Sequence, residues 1–488
     1  MMKKQGAKEF VMKSTETVKQ TGNMEGLSRR DALKMMALSP VAASVIAGTA
    51  APAEIHAKGS EAKGRIVIVG GGAGALMVLA RLRRALAAPD ITVIAPNDKH
   101  IYQPGQVFVA AGEYTPEEII FDNRGYIGED VVWIKDEVAT FDPDANKVMT
   151  KGGKEVEYDY LVVAAGMQYH YESIEGLTAQ MIGKHGISSV YLSDLAAGTA
   201  EGGRITREWF NAVREAAKTS TPRVIFTQPS TPIKCGGAPQ KMLYLCDDFL
   251  KRDKLNADFI FASAGEKLFS IEEIEASLLN VQKGYGNITN KFGHELIRID
   301  PENKIATFLH KYQVQGEYDK EYEEYEMIDK EEEVSLEYDF IHISPPAAAV
   351  DAVAGSLLGW QKGNAAGWLE VDRETLQHRR YKNVFGIGDV CGIPIGKTGG
   401  TARHQAPVVV KNLVSVMEGR EASEKFDGYT VCPLKTSYGE IIMAEFNYEG
   451  LAPTFPSLDP AQPRWIWWAF DLYMLKPMYR YLMLNGLM

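Results

Sequence analysis

A glycine-rich turn between an apolar strand and an apolar helix restricts the fold of this chain more than any other feature. Residues Arg65–Val69 read as a buried strand, and Gly70–Ala75 follow them directly. An apolar helical period then runs through 76–86, and a second apolar strand is predicted at 91–94. The turn matches G-x-G-x-x-A in a strand–turn–helix context, which indicates a dinucleotide-binding α/β fold.

The small residues of this turn have separate expected tasks. Gly70 is expected to form the tight turn, and Gly72 to let a pyrophosphate approach the helix N-terminus. Gly74 belongs to the same fingerprint, and Ala75 is expected to allow close packing of the helix on the strand. These four residues are therefore predicted to contact or shape the site of a bound dinucleotide.

One element of the fingerprint is missing. The acidic residue expected after the second strand, where it would hold the ribose hydroxyls, falls at Ala95. Asn97 and Asp98 lie close behind it, and Asn97 is the candidate substitute.

Two further segments follow in the order that a flavin nucleotide requires. A strand within Tyr158–Gly166 ends in Ala165–Gly166, and a strand at Asn383–Ile387 ends in Gly388–Asp389. Glycine lets the backbone approach a ligand, a helix N-terminus favours the pyrophosphate, and the Asp389 carboxylate can accept from a ribityl hydroxyl. Together the three segments favour FAD over NAD as the nucleotide of this domain.

Two cysteines lie in loops that carry chemistry in such a fold. Cys391 comes two residues after Asp389, where a thiol would lie near the isoalloxazine ring; a structural cysteine in an ordinary strand–turn–helix is the alternative. Cys235 lies in the loop 228–239, where a pyridine-nucleotide enzyme would carry a second G-x-G-x-x-G. The prolines of this loop remove N–H donors, so NAD(P)H is not expected as the electron donor. Cys246, on the following helix, is interpreted as a core residue.

Composition narrows the class of protein. With 488 residues the chain has room for two to three domains. Its formal charge of −11 argues against a nucleic-acid partner. Four cysteines are too few for a disulfide-stapled scaffold, and the spacing of Cys and His suggests no metal site.

The N-terminal residues are interpreted as an export signal. Ser28–Lys34 contains a twin arginine, residues 35–47 are mildly apolar, and Ala51–Ala53 resembles a cleavage site. We therefore predict a Tat signal and linker at 1–57, removed from a folded periplasmic protein that is bound peripherally to the outer face of the inner membrane. The alternative is a chance Arg-Arg before a soluble helix.

The C-terminal residues 464–488 are rich in Trp, Tyr, Met and Leu. Asp471, Lys476, Pro477 and Arg480 interrupt the apolar run, so the segment is a poor spanning helix. Aromatic rims and scattered cations favour two short amphipathic helices in a membrane interface. A helix pair in the core or in a dimer is the alternative.

An acidic, tyrosine-rich stretch at 313–333 is interpreted as a solvated hairpin or surface insertion. A partner-docking face is the alternative for this stretch. The sequence alone does not determine the oligomeric state, and a homo-oligomer is one of the states it leaves open.

Several longer motifs resemble the sulfide:quinone oxidoreductase family, especially the type that includes the mitochondrial enzyme. The resemblance covers roughly 64–488 and rests on four motifs: Lys234–Lys241, Glu374–Asp389, Lys397–Thr398, and Asp427–Leu434 with Ala444–Phe446.

The resemblance implies two Rossmann-like domains of the glutathione-reductase type and a C-terminal membrane-binding segment. The implied boundaries are 64–170 with 345–430 for the FAD domain, 171–344 for the second domain, and 431–488 for the membrane and quinone region. It also adds Lys397 and Thr398 to the expected cofactor-binding residues.

The family's two redox cysteines map onto Cys235 and Cys391, although Val390 here separates the second cysteine from Gly-Asp. Cys432 also matches a family position and is interpreted as structural. Lys234 and Lys397 are candidates to stabilise a thiolate.

The implied activity is oxidation of sulfide through the cysteine pair and FAD, with electrons passing to membrane quinone and the sulfane sulfur to an acceptor or to polysulfide. Three alternatives remain: the flavoprotein subunit of a flavocytochrome c sulfide dehydrogenase, a type II NADH:quinone dehydrogenase, and a non-catalytic flavin-fold protein. The loop Lys99–Gly105 lacks the cysteine that attaches FAD in the first alternative, so non-covalent FAD is expected.

Overall fold

The computed structural model describes residues 59–194, 198–319, 322 and 324–488. The predicted export signal at 1–57 lies outside the described residues. The strands, in chain order, are β1 Arg65–Val69, β2 Asp90–Ile94, β3 Lys99–Ile101, β4 Ile120–Asp122, β5 Val132–Ile134, β6 Val138–Asp142, β7 Lys147–Thr150, β8 Glu155–Glu157, β9 Tyr160–Val163, β10 Gln168–Tyr169, β11 Ile187–Ser188, β12 Arg223–Gln228, β13 Asp258–Ser263, β14 Ile288–Lys291, β15 His294–Asp300, β16 Ile305–Asp319, β17 Glu324–Glu337, β18 Phe340–His342, β19 Ala347–Ala348, β20 Val384–Gly386, β21 Thr430–Ser437, β22 Glu440–Asn447 and β23 Gly450–Leu451. The α-helices are α1 Ala73–Ala85, α2 Gly105–Ala111, α3 Arg124–Ile127, α4 Glu201–Ala217, α5 Ala238–Arg252, α6 Glu272–Tyr285, α7 Asp351–Ala354, α8 Gly399–Met417, α9 Trp465–Phe470 and α10 Lys476–Met478.

The first sheet is parallel and has the strand order β20-β9-β1-β2-β5. Its central strand β1 pairs with β2 and β9, so that Val67 lies between Thr92 and Leu161. Apart from the edge strand β5, the strands are apolar and largely buried, as is usual for parallel sheets, which helices cover. Helices α1 and α8 pack against each other, and the predicted strand–turn–helix at 65–86 is confirmed.

A second parallel sheet has the strand order β11-β18-β12-β13-β14. Its core contains Ile225, Ile260 and Ile341, and Cys246 on α5 is buried as predicted. The predicted architecture of two Rossmann-like α/β units is therefore confirmed.

The acidic stretch forms a long antiparallel hairpin of β16 and β17 that continues from β15. Opposed residues such as Tyr318 and Tyr325 are about half exposed. This agrees with the expectation of a solvated hairpin.

The C-terminal part contains a small antiparallel sheet of β21, β22 and β23, followed by a helical segment at 465–483. The two short helices predicted are present as α9 and α10, and they alternate without a break with π-helical turns at Asp471–Leu475 and Tyr479–Met483. Pro477 lacks an N–H and crowds the preceding turn of an α-helix, and wider turns around it relieve that crowding. Within the described part of the chain, no helix combines the length and apolar character needed to cross a bilayer.

Candidate active site

The glycine turn after β1 has the shape of a dinucleotide cradle. Gly70 has φ of +122°, and a Cβ there would lie 2.3 Å from the Ala164 carbonyl oxygen, so only glycine fits. Gly72 precedes the first turn of α1, and a Cβ there would meet no atom within 4 Å. The helix N-terminus therefore opens onto free space, where its N–H groups can face a pyrophosphate.

Three more glycines border open space. A Cβ on Gly166, Gly388 or Gly399 would meet nothing within 4 Å, and Gly166 and Gly388 have positive φ angles. Gln405 accepts from the Gly388 N–H at 2.8 Å, while its buried Nε2 donates to no described residue. An orphaned buried donor beside open glycines fits a bound nucleotide of the FAD type, because buried polar groups normally have partners.

The remaining predicted residues of the cradle pack around it. A Cβ on Gly74 would lie 3.3 Å from Ile387, and Ala75 is buried, so the close contact between helix and strand is present. Ala165 packs against the core of the first sheet. Thr398 caps α8, its Oγ1 accepting from the Thr401 N–H at 3.1 Å.

Asn97 lies beside the glycine turn. Its Nδ2 donates to the Lys99 carbonyl at 2.9 Å, and Asn123 Nδ2 donates to the carbonyls of Gly71 and Asn97. Ala95 is fully buried, so the usual acidic position presents no group to a ligand. The role of Asn97 in ribose binding stays a prediction.

The two lysines expected to stabilise a thiolate have other partners. Lys234 Nζ lies 2.9 Å from Asp389 Oδ2 and donates to Gln103 Oε1 at 2.6 Å. Lys397 Nζ donates to the carbonyls of Asp389 and Cys391 and lies over the Trp368 ring. Burial lowers the pKa of Lys397 to about 8. Both ammonium groups therefore hold the Gly-Asp turn in place, and the ribityl role of Asp389 stays a prediction.

Cys391 is not the sulfur neighbour of Cys235. It is buried in the hydrophobic core of the first sheet, together with Leu369, Val371 and Val390. Burial raises the pKa of its thiol to about 12, which keeps it protonated. The structure therefore does not bring together Cys235 and Cys391, the predicted redox pair, because Val390 is part of a turn that directs the Cys391 thiol into the core.

Cys235 instead faces Cys432, which sequence reasoning had interpreted as structural. The two Sγ atoms lie 3.1 Å apart, 197 residues apart in the chain, and both thiols are free. Gly237 makes the approach possible, because a Cβ there would lie 2.1 Å from Leu434 and 3.0 Å from Cys432 Sγ. Cys235 has φ of +54°, a left-handed conformation that is uncommon outside glycine and often found at functional sites.

A third residue completes the thiol site. Lys241, on the first turns of α5, is almost fully buried, and its Nζ lies 2.9 Å from Cys235 Sγ. The hydrogen bond from Cys432 and the charge of Lys241 hold the pKa of Cys235 well below its usual value, against the effect of burial. The same hydrogen bond and burial raise the pKa of Cys432. Of the two thiols, Cys235 is therefore the more acidic.

Comparison with known proteins identifies the family. Residues 64–197 match the model of the family described as pyridine nucleotide-disulphide oxidoreductase. Over 389 residues the chain is 36% identical to the "Sulfide:quinone oxidoreductase, mitochondrial" of Dictyostelium discoideum, covering 79% of this chain and 78% of that protein. The chain belongs to the sulfide:quinone oxidoreductase family. It is therefore an oxidoreductase, as predicted.

Two more comparisons agree with this family. The mouse protein "Sulfide:quinone oxidoreductase, mitochondrial" is 31% identical over 426 residues, which are 86% of each chain. The crystal structure of the sulfide:quinone oxidoreductase of Aquifex aeolicus has a TM-score of 0.65 and 20% identity, and covers 87% of this chain and 92% of its own. At that identity the solved structure supports the fold alone.

Proposed function

We propose that this chain oxidises sulfide and delivers the electrons to a membrane quinone through FAD and the pair Cys235–Cys432. The proposal rests on the names of its relatives in the sulfide:quinone oxidoreductase family. The observation that carries it is the 3.1 Å approach of the two thiols beside the Lys241 ammonium group. A disulfide between them would be the electrophile that sulfide attacks.

The unequal acidity of the two thiols sets the direction of that attack. A disulfide opens faster when the departing sulfur has the lower pKa, and that sulfur is Cys235. Hydrosulfide therefore bonds to Cys432 Sγ while the bond between Cys432 and Cys235 breaks. Cys432 becomes a persulfide that keeps the hydrosulfide proton, and Cys235 leaves as a thiolate paired with Lys241. The outer sulfur then passes to an acceptor.

The glycine cradle would hold FAD through Gly72, Gly166 and Gly388, without a covalent bond. Bound there, FAD would supply a two-electron acceptor for the reduced thiol site. The loop Lys99–Gly105 contains no cysteine, and Cys246 and Cys391 are buried among core residues. These positions support non-covalent binding.

The C-terminal segment is the proposed membrane contact. Trp467, Trp468 and Leu472 are buried against the body of the protein, whereas Trp465, Tyr481 and Leu487 are 52%, 59% and 55% exposed. Exposed aromatic and aliphatic side chains along an interrupted helical segment and the residues after it suit a bilayer interface. Quinone would reach the protein from that side.

The twin-arginine pattern supports the proposal that the protein is exported and acts on the outer face of the inner membrane. The names of the two relatives place those proteins in mitochondria.

The test is an anaerobic titration of the purified protein with sulfide, followed through its visible spectrum, and then addition of a quinone. Flavin bleaching or a long-wavelength charge-transfer band that quinone reverses supports the proposal. Bleaching that only cytochrome c reverses favours the flavocytochrome alternative. A flavin indifferent to sulfide contradicts the proposed function.

A further inference from the structure

A buried ion pair connects the strand that carries Cys432 to the last helical segment of the chain. Lys435 on β21 and Asp471 in the first π-helical turn are 2.5 Å apart, and their side chains are only 3% and 2% exposed. The Lys435 ammonium group also lies 4.5 Å from the centre of the Phe108 ring. Burying both charges costs free energy, so a buried ion pair is stable only when each charge is compensated by its partner.

Strand β21, which carries Cys432 and Lys435, packs along helix α5, which carries Lys241, so the ion pair lies next to the thiol site. Four parts of the fold contribute ionisable groups that interact with Cys235 or its neighbours. Lys241 comes from α5, and Cys432 and Lys435 come from β21. Tyr169 and Tyr191 come from the residues between β9 and α4, and Asp471 comes from the C-terminal segment. Lys435 favours the Cys235 thiolate, and Asp471 favours the protonated state of Lys241. Both effects require only proximity in a medium of low dielectric constant.

The balance of charge changes with the redox state of the cysteines. When Cys235 is a thiolate, two ammonium groups (Lys241, Lys435) face two anions (Cys235, Asp471). When Cys235 and Cys432 are joined as a disulfide, one positive charge is in excess. An anion such as hydrosulfide is then attracted to the site, and its arrival restores the balance.

We infer that the buried pair of Lys435 and Asp471 is a positioning element of the thiol site. The pair keeps the Lys241 ammonium group paired with Cys235 and makes the C-terminal segment part of that site. This inference rests on the proposed function in naming Cys235 as the thiol that must ionise. Without Lys435, the Asp471 carboxylate loses its partner at 2.5 Å, and its attraction for Lys241 then competes with that of the thiolate. Removing the carboxylate as well ends that competition.

The experiment measures the pH dependence of alkylation of Cys235 in the reduced full-length holoenzyme, with iodoacetamide and peptide mass spectrometry. Lys435→Met is expected to raise the midpoint by about one pH unit, because a cation that favours the thiolate is lost. Lys435→Met with Asp471→Asn is expected to return it close to that of the wild type. Asp471→Asn alone is expected to lower the midpoint or leave it in place.

A purely structural role predicts a different pattern, in which the double variant is at least as impaired as either single variant. That pattern, an unchanged midpoint in Lys435→Met, or a raised midpoint in Asp471→Asn would overturn the inference. Lys435→Arg retains the charge and is expected to keep the wild-type midpoint, which tests the idea if Lys435→Met does not fold. Lys411→Met, which breaks the exposed pair with Glu424, is the matched control and is expected to change nothing.

The alkylation midpoint needs neither sulfide nor quinone. A failed sulfide titration with the expected midpoints would contradict the proposed function alone, and a successful titration with unchanged midpoints would contradict this inference alone.

Discussion

The ammonium group of Lys241 lies 2.9 Å from the sulfur of Cys235, in a site from which water is largely excluded. Burial alone would lower the pKa of Lys241 and raise that of Cys235. The hydrogen bond from Cys432 and the charge of Lys241 instead lower the pKa of Cys235, and the attraction of Cys235 raises that of Lys241. The two side chains, six residues apart across the start of α5, therefore favour each other's charged form, a thiolate and an ammonium group.

Replacing Lys241 with Met removes the cation and is expected to raise the pKa of Cys235. Because the pKa of Cys235 is lowered in the wild type, its thiolate forms at a lower pH than in the variant. Alkylation of Cys235 at neutral pH should slow by about tenfold or more, since one pH unit corresponds to a tenfold change in thiolate population below the pKa. Lys251→Met on the same helix is the control, and an unchanged rate in Lys241→Met would contradict the ion pair.

The assignment of the redox pair predicts opposite outcomes at two cysteines. Cys432→Ser is expected to abolish sulfide-dependent quinone reduction, because no disulfide with Cys235 can form. Cys391→Ala is expected to retain the activity and to lose roughly 1–2 kcal/mol of stability through a small core cavity. Steady-state assays and thermal unfolding check both, and peptide mapping should find a Cys235–Cys432 disulfide in the oxidised enzyme. Activity that persists in Cys432→Ser and vanishes in Cys391→Ala would instead support a redox pair of Cys235 and Cys391.

The open space beside Gly72 predicts a loss of cofactor without a loss of fold. Gly72→Val meets no protein atom within 4 Å of its Cβ, and the φ of −85° suits any residue. The added side chain would occupy the approach of a pyrophosphate, so the purified protein should contain far less flavin while its circular dichroism is preserved. Gly284→Val on α6, which also lacks a neighbour within 4 Å, is the control and should keep its flavin. Full flavin content in Gly72→Val would place the nucleotide elsewhere.

The exposed apolar side chains of the C-terminal segment predict how the protein binds a bilayer. Trp465→Gln with Leu487→Gln should weaken sedimentation with lipid vesicles severalfold and should raise the KM for a long-chain quinone. Activity with a water-soluble quinone should be preserved, because neither side chain is buried in the site. Val132→Gln with Leu279→Gln removes exposed apolar residues from other elements and should leave vesicle binding unchanged. Equal binding by the Trp465/Leu487 variant would argue against this contact.

Local sequence patterns were sufficient to predict the two parallel sheets and the glycine cradle. The residues of β1, the turn at Gly70 and the helix α1 are contiguous, and a period of hydrophobicity with glycine at fixed positions specifies them. The acidic hairpin was predictable for the same reason, since charge along both strands keeps them in water.

The thiol site was not predictable in this way, because it depends on contacts between distant segments. Proximity in sequence to Gly388–Asp389 favoured Cys391, whereas the turn at Val390 directs that side chain into the core. Cys432 reaches Cys235 only because β21 packs on the start of α5 at Gly237. A lysine near the start of α5, six residues after Cys235, was the available signal for Lys241, and its contact with the thiol became visible only in the fold.

The position of Asp471 near the end of the chain also has a consequence for biosynthesis. A ribosome completes Cys235, Lys241 and Cys432 before it adds the carboxylate that balances Lys435. A nascent or prematurely terminated chain would hold the nucleophile and the cradle yet leave a buried ammonium group without its partner, an arrangement that strongly destabilises folded proteins. A chain that stops before Asp471 is therefore expected to fold less stably around the reactive centre than one that includes it.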